Sequence, residues 1–268
     1  MNMAEQTLEV LICTVDERIS NVVRNILPPC PFVKYLVSWQ YNGDSSAIVP
    51  LSLANREDVE VIVHKGYGLS ANRNYALCKS TGDILLISDD DACYRPEHFS
   101  RIKEAFRLYA DADMLLFRMS DLAGRVFKPY PVDTYVYPHM PYGCYVSSLE
   151  IAFRRGKPVP LFDVCFGLGS DYLACGEEEV FVYQAYRLGL HIRYVPVVVV
   201  CTPHATTGCS FRDNVRVRRS KGAVLYMLHG FWGAFFRCLF FAFHQKQHTW
   251  SFFSDMFSGI WYIKHGKK

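Results

Sequence analysis

The sequence predicts an α/β fold built on a mostly parallel sheet, and two features predict it. Three short apolar runs, at residues 8–14, 33–39 and 59–63, have the length and composition of strands that are buried on both faces. Between the first two runs, the apolar side chains of residues 19–26 recur with helical spacing. Strands that alternate with helices are typical of βαβ units around a parallel sheet.

A fourth apolar run, at residues 84–87, leads into three consecutive carboxylates, Asp89, Asp90 and Asp91. In open α/β sheets, ligands bind outside the carboxyl ends of the strands. Three bare carboxylates would repel one another there, so we expect a positive group beside them. A hard divalent cation such as Mg²⁺ or Mn²⁺ takes oxygen ligands of this kind together with substrate phosphates. The alternative is an acidic surface turn in which Asp91 caps the next segment.

Composition limits the class of protein. The chain has 268 residues, half of them hydrophobic, which suits one large domain or one domain with an appendage. Its ten cysteines include no CxxC pair, so we expect reduced cytosolic thiols rather than a disulfide scaffold or a zinc site. Residues 1–9 show no signal-peptide pattern, and no apolar run reaches the ~20 residues that a membrane-spanning helix needs.

Charge is distributed unevenly along the chain, although the net charge is only +3. Residues 214–268 hold nine Lys and Arg residues and one acid, whereas residues 1–213 hold 20 basic and 25 acidic residues. We therefore predict an acidic α/β domain at 1–213 and a basic, aromatic helical extension at 214–268, with separate roles.

A glycine-containing turn precedes the fourth strand. Gly66 and Gly68 are followed by a predicted helix, for which Ser70 is a plausible N-cap. Arg73 lies in the first turn of this helix, where the helix dipole disfavours a cation. Because a local rule broken in this way often marks a functional site, Arg73 is predicted either to lie beside a nucleotide phosphate or to form a structural salt bridge.

The second half of the sequence is harder to interpret. Residues 121–160 mix proline, tyrosine and glycine, and we predict strand and loop around an acceptor pocket. Glu177, Glu178 and Glu179 then begin a helix that Gly189 ends. Acids at a helix N-terminus are favoured by the dipole alone, but one that faces a cleft would serve as a general base.

A last β-rich run covers residues 192–201 and ends close to His204. A lone histidine is usually structural or on the surface. A histidine just past a strand end is nevertheless a candidate ligand for the cation that the aspartates are expected to hold.

These motifs follow one another in a recognisable order: Gly-Leu-Ser-x-x-Arg-Asn, Gly-Asp leading to Asp-Asp-Asp, Gly-Glu-Glu-Glu-x-Phe, and Val-Pro leading to Pro-His. In this order and spacing they resemble the inverting glycosyltransferases of family 2, over roughly residues 8–212. The resemblance implies the GT-A fold, a Rossmann-like mixed sheet flanked by helices. It implies a donor half at about 1–120 and an acceptor half at about 121–213.

The resemblance assigns the donor-side residues. Asp89, Asp90 and Asp91 match the DxD element, which implies nucleotide-sugar contacts for Asp89 and Asp90 and metal coordination for Asp91. Arg73 matches an arginine that lies beside the nucleotide.

Further positions follow from the same resemblance. Thr14 and Glu17 fall in the loop that lines the base and ribose. His204 matches a histidine that completes the metal site in many members, with Mn²⁺ or Mg²⁺ as the implied cofactor. The acid that the family carries after its second strand is absent from residues 39–42.

The chemistry is also implied by the family. Glu177 and Glu178 match a Glu-Asp pair whose second member is the catalytic base, so Glu178 is the predicted base, with Glu179 as a rival. The implied reaction moves a sugar from a nucleotide-sugar, with a UDP-sugar as the expected donor, to a hydroxyl of a glycan or lipid-linked acceptor. Residues 206–214 would order over the bound nucleotide as a lid.

The segment 214–268 has the composition of a membrane-surface segment. Fourteen aromatic residues lie between Tyr226 and Tyr262, close to a basic cluster at 216–221. Aromatic side chains embed in the headgroup region and basic ones meet anionic lipid, so we predict a peripheral location on the cytoplasmic face of a membrane. The alternative is an ordinary helix pair with an aromatic core. Nucleic acid is not an expected partner, because the basic residues do not form an extended polar face.

Two other functions remain open from the sequence. A nucleotidyltransferase would also be α/β with acidic metal ligands, but it would carry a Gly-rich, basic phosphate loop, which residues 14–18 do not form. A non-catalytic, membrane-associated protein that binds a nucleotide-sugar would keep the fold without the chemistry, and the intact Asp and Glu motifs argue against it.

Overall fold

The structure is a computed structural model that describes residues 6–44, 46–126, 128–141, 143–203, 210–245 and 248–266. The strands are β1 (Leu8–Val15), β2 (Val33–Gln40), β3 (Val59–His64), β4 (Ile84–Asp89), β5 (Met114–Ser120), β6 (Tyr135–Val136), β7 (Ile151–Arg154) and β8 (Ile192–Cys201). The helices are α1 (Ile19–Asn25), α2 (Leu51–Ala54), α3 (Leu69–Lys79), α4 (Pro96–Leu108), α5 (Glu177–Arg187), α6 (Val215–His244) and α7 (Thr249–His265). Single 3₁₀ turns lie at Asp16–Arg18 and Ser148–Glu150.

One mixed sheet contains all these strands, in the order β3-β2-β1-β4-β7-β5-β8-β6. In its first half, β1 pairs in parallel with β2 and β4, and β2 pairs in parallel with β3. These four strands are the four apolar runs of the sequence, and the predicted α/β class is confirmed. Val10, Leu36 and Leu86 are fully buried, as expected for strands covered on both faces.

The start of β4 is fixed by hydrogen bonds to the neighbouring strand. The Glu9 carboxylate accepts hydrogen bonds from the backbone N–H groups of Thr81 (2.8 Å) and Gly82 (2.9 Å). A Cβ at Gly82 would lie 2.5 Å from the Cβ of Glu9, so only glycine fits there. Asp83 accepts from the N–H and hydroxyl of Thr7, each at 2.8 Å. The Gly-Asp pair therefore sets where β4 begins.

The second half of the sheet contains a strand that the sequence did not reveal. β7 runs antiparallel between β4 and β5, and it is only four residues long. Strand β8, which pairs with β5, was predicted, and Pro196 does not end it. The pairing of β5 with β8 shifts register between Leu116 and Arg118, so Pro196 lies in an irregular stretch where its missing N–H costs no ladder hydrogen bond.

The chain divides into two compact units, which are not continuous in sequence. The first comprises residues 1–67, 71–161 and 184–205 and contains the whole sheet. The second comprises residues 68–70, 162–183 and 206–268 and contains α6 and α7. The domain boundary predicted between residues 213 and 214 stays a prediction. Helices α3 and α5 each have residues in both units.

Helix α6 corrects one expectation from the sequence. By length and composition it is apolar enough to cross a membrane, and 22% of its most apolar stretch is buried, whereas no such segment was predicted. The backbone is not continuous, however, because Gly230 has φ 69° and ψ −178° inside the helix. The stretch after this break, residues 231–244, is about 21 Å long, which is short of the ~30 Å hydrocarbon core of a bilayer.

Helices α6 and α7 pack against each other through glycines. A Cβ at Gly222 would lie 1.9 Å from the carbonyl oxygen of Met256, and a Cβ at Gly259 would lie 1.9 Å from the carbonyl oxygen of Arg219. No side chain fits at either position. The two backbones therefore touch directly, and the predicted helical extension is present as a close antiparallel pair.

Candidate functional site

The carboxyl ends of β1 and β4 lie side by side and bring two predicted residues together. Cys13 pairs with Asp89 across these strands, so the next residues, Thr14 and Asp90, are neighbours. The Thr14 hydroxyl donates a 2.7 Å hydrogen bond to the Asp90 carboxylate, and both side chains are buried. Burial raises the pKa of the Cys13 thiol to about 12, so it stays neutral and adds no charge here.

Arg18 supplies the positive group that the three aspartates were expected to need. Its Nε donates to Asp90 Oδ2 at 2.9 Å, its Nη2 donates to Asp90 Oδ1, and the same nitrogen lies 3.9 Å from Asp91 Oδ2. The hydrogen bond with Asp90 raises the pKa of the guanidinium further. The sequence analysis did not identify Arg18, because a polar residue in a turn is usually only solvated. Its position just after a buried strand could have indicated a place in the site.

Arg73 is 2% exposed and holds two groups with one nitrogen. Its Nη2 donates to Asp89 Oδ1 at 2.8 Å and to the Ser148 hydroxyl at 2.9 Å. The predicted salt-bridge alternative therefore describes the contacts of Arg73, and its role beside a nucleotide stays a prediction. We call Thr14, Arg18, Arg73, Asp89, Asp90 and Asp91 the aspartate cluster.

A second contact that the sequence did not predict fixes the end of β1. The Asn72 amide donates to the backbone oxygen of Thr14 at 3.0 Å, and Asn72 Oδ1 lies 3.2 Å from His64 Nε2. His64 Nε2 is also 3.2 Å from the Ser38 hydroxyl. Asn72 occupies the second x of the Gly-Leu-Ser-x-x-Arg-Asn motif, so the motif did not indicate it, although its side chain binds the end of β1.

Glu17 is exposed on the 3₁₀ turn that follows β1, and its predicted contact with the nucleoside stays a prediction. The turn itself is held in place by two hydrogen bonds. Trp39 Nε1 donates to the backbone oxygen of Asp16 at 2.9 Å, and the Asn42 N–H donates to Asp16 Oδ1 at 2.9 Å. Asp16 adopts a left-handed backbone with φ 44°. A side chain on this turn is therefore displayed by a fixed backbone.

Behind the aspartate cluster lies a buried ion pair that was not predicted. Lys128 Nζ donates to Glu150 Oε2 at 2.8 Å and to the Ser147 hydroxyl at 3.1 Å. Tyr130 donates its hydroxyl proton to Glu150, and burial with the adjacent carboxylate raises the pKa of this phenol well above 10. We call Lys128, Tyr130, Ser147 and Glu150 the lysine cluster. It fixes the turn that carries Ser148, the partner of Arg73.

In the second unit, Glu177 and Glu178 begin α5, as predicted. Glu177 is 5% exposed, and its carboxyl carbon would lie 3.0 Å from a Cβ built at Gly167, which has φ +96°. Glu178 is half-buried. The Ser70 hydroxyl donates to the backbone oxygen of Phe166 at 2.8 Å from within the first turn of α3, so the predicted N-cap role of Ser70 is wrong.

The predicted metal site is only partly described. His204 lies outside the described residues. Within the described part of the chain, no three His, Cys, Asp or Glu side chains form a ready-made metal centre. The donor set still suits Mg²⁺ or Mn²⁺, because Asp89 and Asp91 are both 29% exposed in their side chains and offer oxygen atoms. Such ions use one or two protein carboxylates and take waters and substrate phosphates as their other ligands.

Comparison with known proteins relates this geometry to a family. The model for glycosyl transferase family 2 matches residues 44–142, a segment that contains both Arg73 and the three aspartates. A comparison of the sequence with curated proteins finds no significant match.

Solved structures share the fold. Residues 1–349 of S. aureus TarS match with a TM-score of 0.56 and 17% identity, over 95% of this chain and 81% of that one. The same segment in complex with UDP-GlcNAc gives a TM-score of 0.57 at 16% identity, again over 95% and 81%. A longer TarS structure matches with a TM-score of 0.55 at 18% identity, and this chain covers 43% of it. At these identities the likeness establishes the fold, which is the GT-A fold, and the family match relates residues 44–142 to glycosyl transferase family 2.

Proposed function

We propose that the protein transfers a sugar from a UDP-sugar to a hydroxyl group of a glycan or lipid-linked acceptor, with inversion of the anomeric carbon and with a divalent cation. The observation that carries this proposal is the pairing of Arg73 with Asp89 at the carboxyl end of β4, within the segment that matches family 2. The TarS structures that share the fold include complexes with UDP and with UDP-GlcNAc, which favours a uridine nucleotide.

The aspartate cluster is the proposed donor site. Asp89, held by the buried Arg73, faces the ribose side of the nucleotide, and Thr14 with Glu17 lies along the nucleoside. Asp90 contributes by fixing the end of β1 and the turn that follows it, because its carboxylate accepts hydrogen bonds from Thr14 and Arg18. Arg73 and Arg18 also give this region positive charge that favours an anionic donor.

Asp91 is the proposed metal ligand, with His204 as a further ligand, and Mg²⁺ or Mn²⁺ is the proposed cation. When bound, this cation supplies positive charge that offsets the charge developing on the departing diphosphate.

Glu178 is the proposed general base. It takes the proton from the acceptor hydroxyl, the hydroxyl oxygen forms a bond to the anomeric carbon, and the bond from that carbon to the diphosphate oxygen breaks. The nucleoside diphosphate leaves with the electron pair, and attack from the face opposite the leaving group inverts the configuration. The half-buried state of Glu178 supports this assignment, whereas Glu177 is buried against Gly167 and is better suited to positioning the start of α5.

We also propose that the enzyme acts in the cytosol, on the cytoplasmic side of a membrane. The nine cysteines in the described part of the chain are all free, as expected in a reducing compartment. Of the lid proposed for residues 206–214, residues 206–209 lie outside the described residues, and its closure remains part of the proposal.

Donor hydrolysis without an acceptor tests the donor and the cation together. Nucleotide release from UDP-, GDP-, CMP- and dTDP-sugars would be measured with Mn²⁺ and with EDTA. We expect slow, metal-dependent release from a UDP-sugar alone. Equal release with EDTA would overturn the role of the metal. Release from a donor with another nucleotide would overturn the assignment of uracil as the nucleobase. No release from any donor, with no change of melting temperature on donor addition, would overturn the proposal as a whole.

Two neighbouring substitutions test the base. Glu178→Gln keeps the size of the side chain but removes its proton-accepting carboxylate, so we expect transfer to fall by about 10²–10⁴-fold while donor binding persists. Glu179→Gln is the matched control on the same helical turn and should leave transfer within a few-fold of wild type. If Glu179→Gln lost activity and Glu178→Gln did not, the base would be Glu179.

A further inference from the structure

The last part of α6, residues 231–244, is apolar around its whole circumference. Eight of its fourteen residues are phenylalanine, tryptophan or leucine, and only Arg237 and His244 are polar. A helix of this composition is found either in the core of a protein or in a membrane, because no face of it is suited to water.

One face of this stretch is covered within the second unit. Ala234, Cys238 and Ala242, each four residues apart, are fully buried and belong to one hydrophobic cluster with Met256 and Ile260 of α7. Small residues at this spacing let the two helices approach closely. The packing of α7 therefore accounts for one face of the helix and leaves the opposite face to be explained.

The opposite face carries large aromatic side chains that are exposed. Its members are Trp232 (69% exposed), Phe236 (62%), Phe240 (57%) and Phe243 (55%), with Trp250 (69%) at the start of α7. We call these five residues the aromatic face. The first three follow at intervals of four residues and form one continuous stripe. Contiguous apolar surface of this kind on a protein marks a binding surface for a protein or a membrane.

The charge around the aromatic face favours anionic lipid over a protein partner. No acid occurs between residues 214 and 254, and the single acid of the extension, Asp255, accepts a 2.7 Å hydrogen bond from Arg218. Arg237 is exposed beside the stripe, and Lys264 Nζ lies 4.5 Å from the ring centroid of Phe231. Exposed cations next to Trp and Phe are the composition of a segment at the membrane interface.

The basic cluster at 216–221 was expected to contact anionic lipid, but most of its side chains contact residues of the second unit. Arg216 donates to the backbone oxygen of Ser170, and the Arg219 guanidinium lies 4.3 Å from the ring centroid of Tyr172. With Arg218 bound to Asp255, three of the four basic residues of this cluster are engaged inside the second unit. Positive charge for lipid therefore comes from around the aromatic face.

We propose that the aromatic face embeds in the headgroup region of an anionic bilayer, with residues 231–244 lying parallel to the membrane surface. The break at Gly230 supports this orientation, because it leaves a helical stretch about 21 Å long, too short to cross ~30 Å of hydrocarbon. The inference is independent of the proposed catalytic function, since it rests on residues outside the aspartate cluster and Glu178.

Tryptophan fluorescence of the unmodified full chain tests the proposal without a variant. Of its four tryptophans, Trp232, Trp250 and Trp261 are 54–69% exposed, whereas Trp39 is 4% exposed. Vesicles of phosphatidylcholine and phosphatidylglycerol should shift the emission to the blue, and brominated acyl chains should quench it. Vesicles of phosphatidylcholine alone should give a weaker response. No shift and no quenching with the anionic vesicles would overturn the proposal.

A triple variant tests the stripe itself. Trp232→Ser, Phe236→Ser and Phe240→Ser together remove three exposed aromatics, so the lipid concentration for half-maximal flotation should rise by about tenfold or more. Because the three side chains are exposed, far-ultraviolet circular dichroism and the release of nucleotide from a UDP-sugar in solution should stay close to wild type. Unchanged flotation would overturn the proposal.

A matched control removes three exposed aliphatic residues of the first unit. Leu51→Ser, Leu108→Ser and Val132→Ser lie at positions that are 65–80% exposed, and flotation should not change. Analytical ultracentrifugation of the wild type without lipid separates the remaining alternative. A dimer that the Trp232, Phe236 and Phe240 substitutions convert to a monomer would show that the face binds a second copy of the chain, and would overturn the proposal.

Discussion

The aspartate cluster and the lysine cluster hold their carboxylates in opposite ways. Glu150 in the lysine cluster is 2% exposed and accepts hydrogen bonds from Lys128, Tyr130 and the N–H of Ser147. Asp89 and Asp91 in the aspartate cluster keep 29% of their side chains exposed. The first carboxylate is bound only by groups of the protein, and burial still raises its pKa, whereas the other two carboxylates remain accessible to a ligand.

The difference shows how similar residue types divide between structure and chemistry. A buried charge must be paired and hydrogen-bonded, or its desolvation makes the fold unstable. A partly exposed carboxylate beside an arginine carries no such penalty and has oxygen atoms available for a cation. The two clusters are joined through one turn, because Ser147 contacts Lys128 and the next residue, Ser148, contacts Arg73. The closed cluster thus holds the open one in place.

Removing Glu150 should have the largest effect on stability. Glu150→Ala leaves the Lys128 ammonium buried without its carboxylate, so we expect the free energy of unfolding to fall by about 3–5 kcal/mol. Urea denaturation monitored by circular dichroism measures this. A matched substitution, Glu104→Ala, removes an exposed carboxylate that pairs with Arg107, and should leave the free energy of unfolding close to that of the wild type.

A double substitution sharpens the same test. Lys128→Met with Glu150→Gln removes both charges, and most of the lost stability should return, because no buried charge remains unpaired. If the double variant were as unstable as Glu150→Ala, packing rather than charge would explain the cost, and the contrast between the clusters would lose its electrostatic basis.

His98 offers a buried titratable group that is kept neutral instead of paired. It is 3% exposed in the first turn of α4, and its Nδ1 accepts a 3.3 Å hydrogen bond from the Arg95 N–H. Burial, with a contribution from Arg101, lowers the pKa of His98 from 6.5 to about 4. The unfolded chain then binds a proton that the folded chain does not, so stability should fall as pH drops from about 6.5 to about 4, by roughly 1–3 kcal/mol.

The matched variant for this pH effect is His98→Asn, whose side-chain oxygen can accept the same N–H without titrating. We expect it to be less stable than wild type at pH 7, because it fills less space, and to lose less stability on acidification. Thermal unfolding at pH 7 and pH 4.5 measures both. Parallel pH profiles for the two proteins would show that His98 does not carry the effect.

Arg73→Lys should have the smallest of these effects on stability, and it should weaken binding of the donor. Lysine keeps the charge, but its shorter, flexible side chain does not place a nitrogen where the rigid guanidinium holds Nη2, so Asp89 and Ser148 can no longer be held together with the same geometry. We expect the KM for the donor to rise by about tenfold with a smaller change in kcat. Arg24→Lys, on the exposed surface of α1, is the control. An unchanged KM would make Arg73 a purely structural residue.

The parallel half of the sheet was predictable because each of its strands is a continuous apolar run. Strand β7 was not, since four residues after a 3₁₀ turn carry too little periodicity to separate a strand from a loop. The break at Gly230 escaped notice for a related reason, because an isolated glycine within an apolar helical pattern is usually tolerated.

The sequence predicted the acidic residues of the candidate site, but it did not predict the residues that pair with them. Three adjacent aspartates at a strand end indicate a need for positive charge, but only the register of β1 and β4 places Arg18 and Thr14 beside Asp90. Lys128 and Glu150 are 22 residues apart in sequence, and neither lies in a motif. Partners that the tertiary fold brings together leave no local pattern to read.

Calorimetric titration of UDP tests the central claim most directly, namely that the open carboxylates of the aspartate cluster bind a nucleotide together with a divalent cation. It would be done for the wild type with Mn²⁺, for the wild type with EDTA, and for Asp91→Asn with Mn²⁺, with Asp111→Asn as an exposed-carboxylate control. The account predicts that EDTA and Asp91→Asn each weaken binding by at least about tenfold, or about 1.4 kcal/mol, while Asp111→Asn does not. Equal affinity in all four titrations would contradict it.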